Sequence, residues 1–135
     1  MKSFDKNQYL HQDLTDKIIK VFYEVYNILG VGFLESVYKK AMEIELLNNN
    51  LTFEIEKPLI VHYKNEIIGN FYADMIVNDL VILELKAVDI LSEIHEVQLV
   101  NYLRATDKEV GLLLNFGKKP EIKRKAFTND RKYRK

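Results

Sequence analysis

The feature that most constrains the fold is a β-rich stretch at residues 51–88, LTFEIEKPLIVHYKNEIIGNFYADMIVNDLVILELKAV. It is dense in β-branched and aromatic residues, and it is interrupted by KN at 64–65 and ND at 78–79, which favour turns. The pattern predicts three strands joined as an antiparallel meander, at about 52–63, 66–77 and 80–88.

Helical periodicity flanks these strands on both sides. Before them, DLTDKIIKVFYEVYNILG and FLESVYKKAMEIELLNNN carry apolar residues at helical spacing, which predicts two helices packed on each other. After them, SEIHEVQLVNYLRAT predicts a third helix beginning at the N-cap Ser92, EVGLLLNF a short buried strand, and EIKRKAF an edge strand. This order predicts an α+β fold in which a helix crosses from the meander to the next strand. With 135 residues, of which 47% are hydrophobic, we expect a single domain over 1–135.

Composition excludes several functional classes. The chain has no Cys, which excludes thiolate chemistry, and its three His are widely spaced, so a metal would be held mainly by oxygen. It has no run of about 18 apolar residues and no signal-type N-terminus, so we expect a soluble, cytoplasmic protein without membrane association. Net charge is zero, but residues 118–135 carry +7, which leaves −7 for 1–117. The basic tail at 128–135 either meets phosphate or is a solvated terminus.

The hairpin around residues 78–80 determines which polar side chains meet. Residues directly opposite each other in an antiparallel hairpin point to the same face. A three-residue loop pairs Val77 with Val81, and it therefore also pairs Asp74 with Glu84. A two-residue loop would bury the Asp74 carboxylate against the core face, so hydrophobic segregation selects the three-residue loop.

This register gives the hairpin two different faces. One is predicted to be apolar throughout: Phe71, Ala73, Met75, Val77, Val81, Leu83, Leu85 and Ala87. The other is predicted to pair Tyr72 with Lys86 and to hold Tyr72, Asp74, Ile76, Ile82, Glu84 and Lys86. Two carboxylates with Cβ atoms about 4.5–5.5 Å apart repel each other unless a cation lies between them. Mg²⁺ or Mn²⁺ suits such an all-oxygen site; the alternative is a solvent-facing salt-bridge cluster of Asp74, Glu84 and Lys86.

Three segments resemble a known family. Asp74, followed after nine residues by ELK at 84–86 on the next strand, resembles the core of the PD-(D/E)xK nuclease superfamily, with Ala73 in place of the proline. GFLESVY at 32–38 matches the G-x-x-E-x-x-Y signature of the GxxExxY family of small nuclease-like proteins, and IHEVQLVNYLRAT and GLLLNFG are similar to its later segments. QLVNY at 98–102 resembles the QxxxY motif of RecB-like members. The resemblance implies an α/β restriction-endonuclease-like core.

The resemblance also implies roles for the strand residues. Asp74 and Glu84 would be the metal ligands, with the backbone carbonyl of Leu85 as a third oxygen and Mg²⁺ or Mn²⁺ as the ion. Lys86 would orient or help deprotonate the attacking water and stabilise charge on the phosphoryl group.

The helices would contribute further site residues. Glu35 would add a catalytic carboxylate to the metal or its water shell; alternatively it interacts with the helix dipole and with Lys39 at i+4. Gln98 and Tyr102 share one helical face and would reach a substrate phosphate, with Gln98 also at the catalytic edge of the site. His95, one turn earlier, is proposed to contact substrate.

The function expected on this basis is divalent-metal-dependent hydrolysis of DNA or RNA. Two alternatives stay open: a catalytically silent nuclease-fold module that binds nucleic acid or a protein partner, and an interaction protein whose carboxylates are purely structural. Since so small a domain has little room for a long substrate groove, its size favours a homodimer or a partner protein.

Overall fold

The computed structural model describes residues 10–132 of the chain. Its elements are α1 (Gln12–Leu29), α2 (Glu35–Asn48), β1 (Phe53–Tyr63), β2 (Glu66–Val77), β3 (Val81–Lys86), α3 (Glu93–Ala105), β4 (Val110–Phe116), β5 (Pro120–Ala126) and a closing 3₁₀ turn (Asn129–Arg131). The strands form one sheet in the order β1-β2-β3-β4-β5. β3 and β4 run parallel and the other neighbours antiparallel, so the predicted α+β fold and its crossover helix are confirmed.

Helices cover both faces of the sheet. α1 and α2 pack on one face over a cluster that contains Phe22, Tyr38, Met75 and Leu85. α3 packs on the other face over Leu59, Ala73, Ile76, Ile82, Leu99, Leu103 and Leu113. β4 is buried along its whole length because it lies between the two layers, which explains its continuous apolar run. None of the helices in residues 10–132 is long and apolar enough to cross a membrane.

The turn between β2 and β3 confirms the predicted register. Val77 lies opposite Val81, and the N–H of Leu80 donates to the carbonyl of Val77 at 2.9 Å. Asn78 and Asp79 have φ of 51° and 57°, a left-handed conformation that these short polar residues tolerate better than most. The three-residue loop therefore has the turn chemistry that the sequence suggested.

The ladder between β2 and β3 is short. It runs only from the turn to Met75, which lies opposite Leu83. The predicted pairing of Tyr72 with Lys86 is therefore wrong, because the ladder ends before it reaches these residues. On its other side Tyr72 pairs with Pro58 of β1. Beyond Met75 the two strands no longer exchange ladder hydrogen bonds, and side chains take over the contact.

The predicted apolar face of β2 is also wrong. Ala73 and Ile76 both pack beneath α3 although they are three positions apart in one strand, whereas Met75 packs beneath α1 and α2. The in-out alternation of β2 therefore shifts at Asp74. The alternation of β1 shifts at the same level. Glu56 lies across from Asp74, between the pairs Ile55–Met75 and Lys57–Ala73, and has a φ of 49°. A period of two, read from sequence, assumes an uninterrupted strand and misses such an irregularity.

The second face of β3 is not open to solvent. Ile76 and Ile82, which the register predicts on the same face as Asp74 and Glu84, are fully buried beneath α3. The β3–α3–β4 connection explains this, because a crossover helix between parallel strands packs onto the sheet it spans. The carboxylates beside these residues consequently lie at the edge of a core and not on an exposed surface.

The basic tail is partly packed against the domain. Residues 133–135 lie outside the described part, but Lys132 is nearly buried. Its ammonium donates to the carbonyls of Thr106 at 2.9 Å and Lys108 at 2.6 Å. The first part of the tail therefore helps to close the domain.

Candidate active site

Asp74 and Glu84 meet where β2 and β3 separate. The N–H of Leu85 donates to Asp74 Oδ2 at 2.8 Å, and the N–H of Asp74 donates to Glu84 Oε1 at 3.4 Å. These contacts replace the main-chain ladder that ends at Met75. Each acid thus binds the opposite strand, and the two carboxylates lie together as the hairpin register predicted.

The carboxyl group of Glu84 is strongly perturbed. Burial and, next, the negative charge of Asp74 raise the pKa of Glu84 from 4.5 to about 8, while the charge of Lys86 opposes the shift. A carboxyl group with this pKa holds its proton at neutral pH unless a further cation is present. A cation beside Glu84 would therefore stabilise its charged form.

The ammonium bonded to Asp74 belongs to Lys39 of α2, at 2.7 Å from Asp74 Oδ1. Burial lowers the pKa of Lys39, but the hydrogen bond and charge of Asp74, with smaller contributions from Glu35 and Glu56, outweigh it, so the pKa is raised. The sequence suggested Lys39 only as a partner of Glu35 one turn away. The predicted cluster with Lys86 thus has a different lysine at its centre.

Lys86 is half-buried at the end of β3, opposite Asn115 of β4. The chain directly after it is clamped by Asn115, a fully buried residue. Asn115 Oδ1 accepts from the N–H of Val88 at 3.0 Å, and Nδ2 donates to the Val88 carbonyl at 2.8 Å and to Glu121 at 3.1 Å. Sequence analysis missed this clamp, because a single Asn within an apolar strand shows no partner.

We expect Asn115→Ala to lower the free energy of unfolding by about 2–4 kcal/mol, since both backbone groups of Val88 lose a buried partner. Urea denaturation measures the change. Asn101→Ala, at an exposed position of α3, is the matched control and should change stability by less than about 0.5 kcal/mol. Equal stabilities of the two variants would contradict the clamp.

The segment that resembles G-x-x-E-x-x-Y builds the turn before α2. Gly32 has a φ of 103°, which favours glycine. The buried hydroxyl of Tyr38 donates to the carbonyl of Gly30 at 2.6 Å and accepts from the N–H of Phe33 at 3.3 Å. Its ring stacks on Phe116 with centroids 4.2 Å apart. The glycine and tyrosine thus fix the loop from which α2 starts.

Glu35 is the first residue of α2 and is half-buried. Its charge helps to raise the pKa of Lys39, which follows it by one helical turn and binds Asp74. The N-terminal turn of a helix also favours a negative charge. Glu35 therefore begins the helix whose next turn carries Lys39 to Asp74.

Tyr102 of α3 also lies at the site. Its ring stacks on Phe71 with centroids 3.6 Å apart and planes 13° apart. Burial and, next, the charges of Glu84 and Asp74 raise the pKa of Tyr102. A phenol that senses both charges is within electrostatic reach of the carboxylate pair.

Gln98 and His95 lie one and two turns before Tyr102 on α3. Gln98 is exposed, so it faces the solvent from which a substrate would come. His95 is half-buried, and its Nδ1 is buried without a hydrogen-bond partner among residues 10–132. Contact of either residue with a substrate stays a prediction.

The donor set fits a hard divalent cation. In the described part of the chain, no three His, Cys, Asp or Glu side chains are arranged to hold a metal together. The carboxylates of Asp74 and Glu84 supply two oxygens, however, and the main chain of Leu85 lies against them. Mg²⁺ and Mn²⁺ prefer oxygen ligands and are commonly held by one or two carboxylates. Burial and the adjoining charge of Asp74, which raise the pKa of Glu84, also favour a cation beside it.

Comparison with known proteins identifies the superfamily. A family model described as the PD-(D/E)XK nuclease superfamily matches residues 12–125. Since that match spans most of the sequence, the chain belongs to the PD-(D/E)XK nuclease superfamily.

A solved structure supports the fold. The crystal structure of SSO0001 matches with a TM-score of 0.56 and 18% identity, covering 91% of this chain and 62% of that one. The chain thus spans less than two thirds of the length of SSO0001, and the likeness concerns the fold alone. Among curated proteins, none matches the chain significantly.

Proposed function

We propose that this protein is a divalent-metal-dependent nuclease that hydrolyses phosphodiester bonds of DNA or RNA. The observation that carries the proposal is the Asp74–Glu84 pair, in which the pKa of Glu84 is raised to about 8 by burial and by the charge of Asp74. Perturbed carboxyl groups of this kind concentrate at functional sites. The superfamily of the chain gives the pair its chemical context.

Asp74 and Glu84 would hold Mg²⁺ or Mn²⁺, with the backbone carbonyl of Leu85 as a third oxygen. When bound there, the ion supplies Lewis-acid polarisation of a phosphoryl oxygen and lowers the pKa of a water molecule. The chain itself holds the two acids in place: the N–H of Leu85 fixes Asp74, and the N–H of Asp74 orients Glu84. Preorganised side chains of this kind pay no cost of ordering during the reaction.

Lys86 is proposed to orient the attacking water or help remove its proton, and to stabilise charge on the phosphoryl group. It lies two residues after Glu84, and its charge acts on that carboxyl group. The Asn115 clamp on Val88 supports this role, because it fixes the main chain just beyond Lys86.

The helices would complete the site. Glu35 is proposed as a further carboxylate for the metal or its water shell, and its place near Lys39 supports this. Gln98, Tyr102 and His95 are proposed to contact the substrate from α3, and the effect of both site carboxylates on the pKa of Tyr102 supports that direction of approach.

We also propose that the chain is a member of the GxxExxY branch of the superfamily. The proposal is supported by the structural roles of the three residues that match the G-x-x-E-x-x-Y signature. Gly32 and Tyr38 hold the loop before α2, and Glu35 begins the helix beside the site.

The test is cleavage of single-stranded, duplex and branched DNA and RNA. We expect cleavage with Mg²⁺ or Mn²⁺ and none in EDTA. Lys86→Ala should lower the rate by about a hundredfold or more, through loss of general acid-base and electrostatic assistance. Lys17→Ala, at an exposed position of α1, is the control and should keep the wild-type rate. Absence of cleavage on every substrate would overturn the proposal.

A catalytically silent module that binds nucleic acid or a protein partner is the second candidate. The ion pair of Lys39 with Asp74 favours it, because an ammonium already supplies positive charge at the site. On this view the wild-type protein cleaves nothing, and saturating Mn²⁺ leaves its melting temperature unchanged.

A further inference from the structure

We infer that Lys39 is a built-in counterion of the site, which a divalent cation must displace from Asp74 in order to bind. The inference rests on the proposed function, since it concerns control of metal binding by the same carboxylates. Lys39 directly follows the segment at 32–38 and belongs to none of the motifs named above. Its role would be to set the affinity of the site for the divalent cation.

Both oxygens of Asp74 are engaged. Oδ2 accepts from the N–H of Leu85 at 2.8 Å and so belongs to the contact between β2 and β3. Among the described residues, Oδ1 makes no hydrogen bond with the opposite strand and is bonded instead to the Lys39 ammonium at 2.7 Å. A charge-assisted hydrogen bond of this length is among the stronger ones in proteins. A metal that binds Oδ1 must therefore compete with it.

The partial burial of the Lys39–Asp74 ion pair suits replacement of the ammonium by a divalent cation. The side chains of Lys39 and Asp74 are 28% and 14% exposed, respectively. The pair is shielded enough for the attraction to matter, yet more than a quarter of the lysine side chain already faces solvent. A lysine also has a flexible four-carbon stem and a compact charge, which suits displacement better than the rigid fork of an arginine.

A displaced Lys39 has other acids within reach. Glu35 precedes it by one helical turn. The charges of Glu35 and Glu56 both act on the Lys39 ammonium while it binds Asp74. The ammonium therefore need not be left without a counter-charge when it moves away from Asp74.

The counterion also explains how the metal-free protein tolerates two adjoining acids. Without a divalent cation, the Lys39 ammonium, 2.7 Å from Oδ1, compensates the charge of Asp74 beside Glu84. A divalent cation replaces it. The fold is thus kept without metal, but at the expense of metal affinity.

The test is calorimetric titration of the full chain with Mn²⁺. Lys39→Met should bind Mn²⁺ about tenfold more tightly than wild type, since it loses both a competing ammonium and a like charge. Lys40→Met is the matched control: it removes the same charge from the next position of α2, where the side chain is 78% exposed, and should change the Kd less than about twofold. Lys39→Gln, which keeps a hydrogen-bond donor for Asp74, should shift affinity in the same direction and serves if Lys39→Met fails to fold.

A second readout is the melting temperature without and with metal. In EDTA, Lys39→Met should melt below wild type, and saturating Mn²⁺ should close the difference. If wild type binds Mn²⁺ but neither Lys39 variant binds it more tightly, this inference is overturned and the proposed function stands. If no form of the protein binds Mn²⁺, the metal-dependent function is itself overturned.

Discussion

Asp74→Asn is expected to lower metal-dependent cleavage by about a thousandfold or more, because the carboxamide keeps the shape of the side chain but loses the charge that holds the ion. The substitution keeps an oxygen to accept from the N–H of Leu85, so the junction of β2 and β3 should survive. The measurement is the initial rate on the best substrate at saturating Mn²⁺, with circular dichroism to check the fold.

Asp79→Asn is the matched control for this substitution. Asp79 lies in the turn of the same hairpin, is mostly exposed, and is bonded to Lys108 at 2.8 Å. It has no proposed part in metal binding, so the variant should cleave at the wild-type rate despite a small loss of stability. An Asp74→Asn protein that retained more than a tenth of wild-type activity would contradict the role of Asp74 as a ligand.

Glu84→Gln is expected to have the largest effect on the pH dependence of stability. The pKa of Glu84 is about 8 in the folded protein against 4.5 ordinarily. Between these values the folded state binds more protons than the unfolded state, so the free energy of unfolding falls as pH rises from about 4.5 to about 8. Glutamine stays neutral and removes that loss. At pH 9 without metal, Glu84→Gln should therefore be more stable than wild type by roughly 2–4 kcal/mol.

Denaturant unfolding in EDTA at pH 5 and pH 9 measures this effect. Near pH 5 the folded wild-type protein carries Glu84 largely protonated, so wild type and Glu84→Gln should be close in stability. Glu66→Gln, at the exposed start of β2, is the control and should follow wild type at both pH values. A Glu84→Gln protein that lost stability with pH as wild type does would show that Glu84 is not the group responsible.

The junction of Asp74 and Glu84 could be predicted because it depends on local information. The ND turn limits the hairpin to a few loop lengths, and the apolar residues beside it select one of them. A three-residue loop places Val77 opposite Val81. Asp74 lies three positions before Val77 and Glu84 three positions after Val81, so the two acids come together. The crossover helix and buried β4 were likewise visible as periodic apolar patterns.

The ion pair of Lys39 could not be predicted in the same way. Its partner Asp74 lies 35 positions away, and the contact exists only because α2 packs over the end of the sheet. Helical spacing offered a nearer partner in Glu35, and local spacing was the only guide available. The buried polar clamp of Asn115 was hidden for the same reason, since its partner Val88 is reached through the parallel pairing of β3 and β4.

The change of in-out alternation in β1 and β2 could not be predicted from the sequence for a different reason. It occurs where Glu56 of β1 lies across from Asp74 of β2. Glu56 has a left-handed φ, and no glycine at this position indicates that conformation in the sequence. Tertiary packing against α3 on one side and α1 and α2 on the other sustains the irregularity. Irregularities of this kind are frequent next to active sites, where they redirect a side chain. Here the position concerned is that of Asp74.

The most direct test of a metal site between Asp74 and Glu84 is anomalous diffraction from crystals grown with Mn²⁺. We expect one Mn²⁺ bound by both carboxylates, with the Lys39 ammonium moved away from Asp74 Oδ1. A carboxylate pair without Mn²⁺ at saturating concentration, with Lys39 still bonded to Asp74, would contradict both the metal site and the nuclease activity proposed from it.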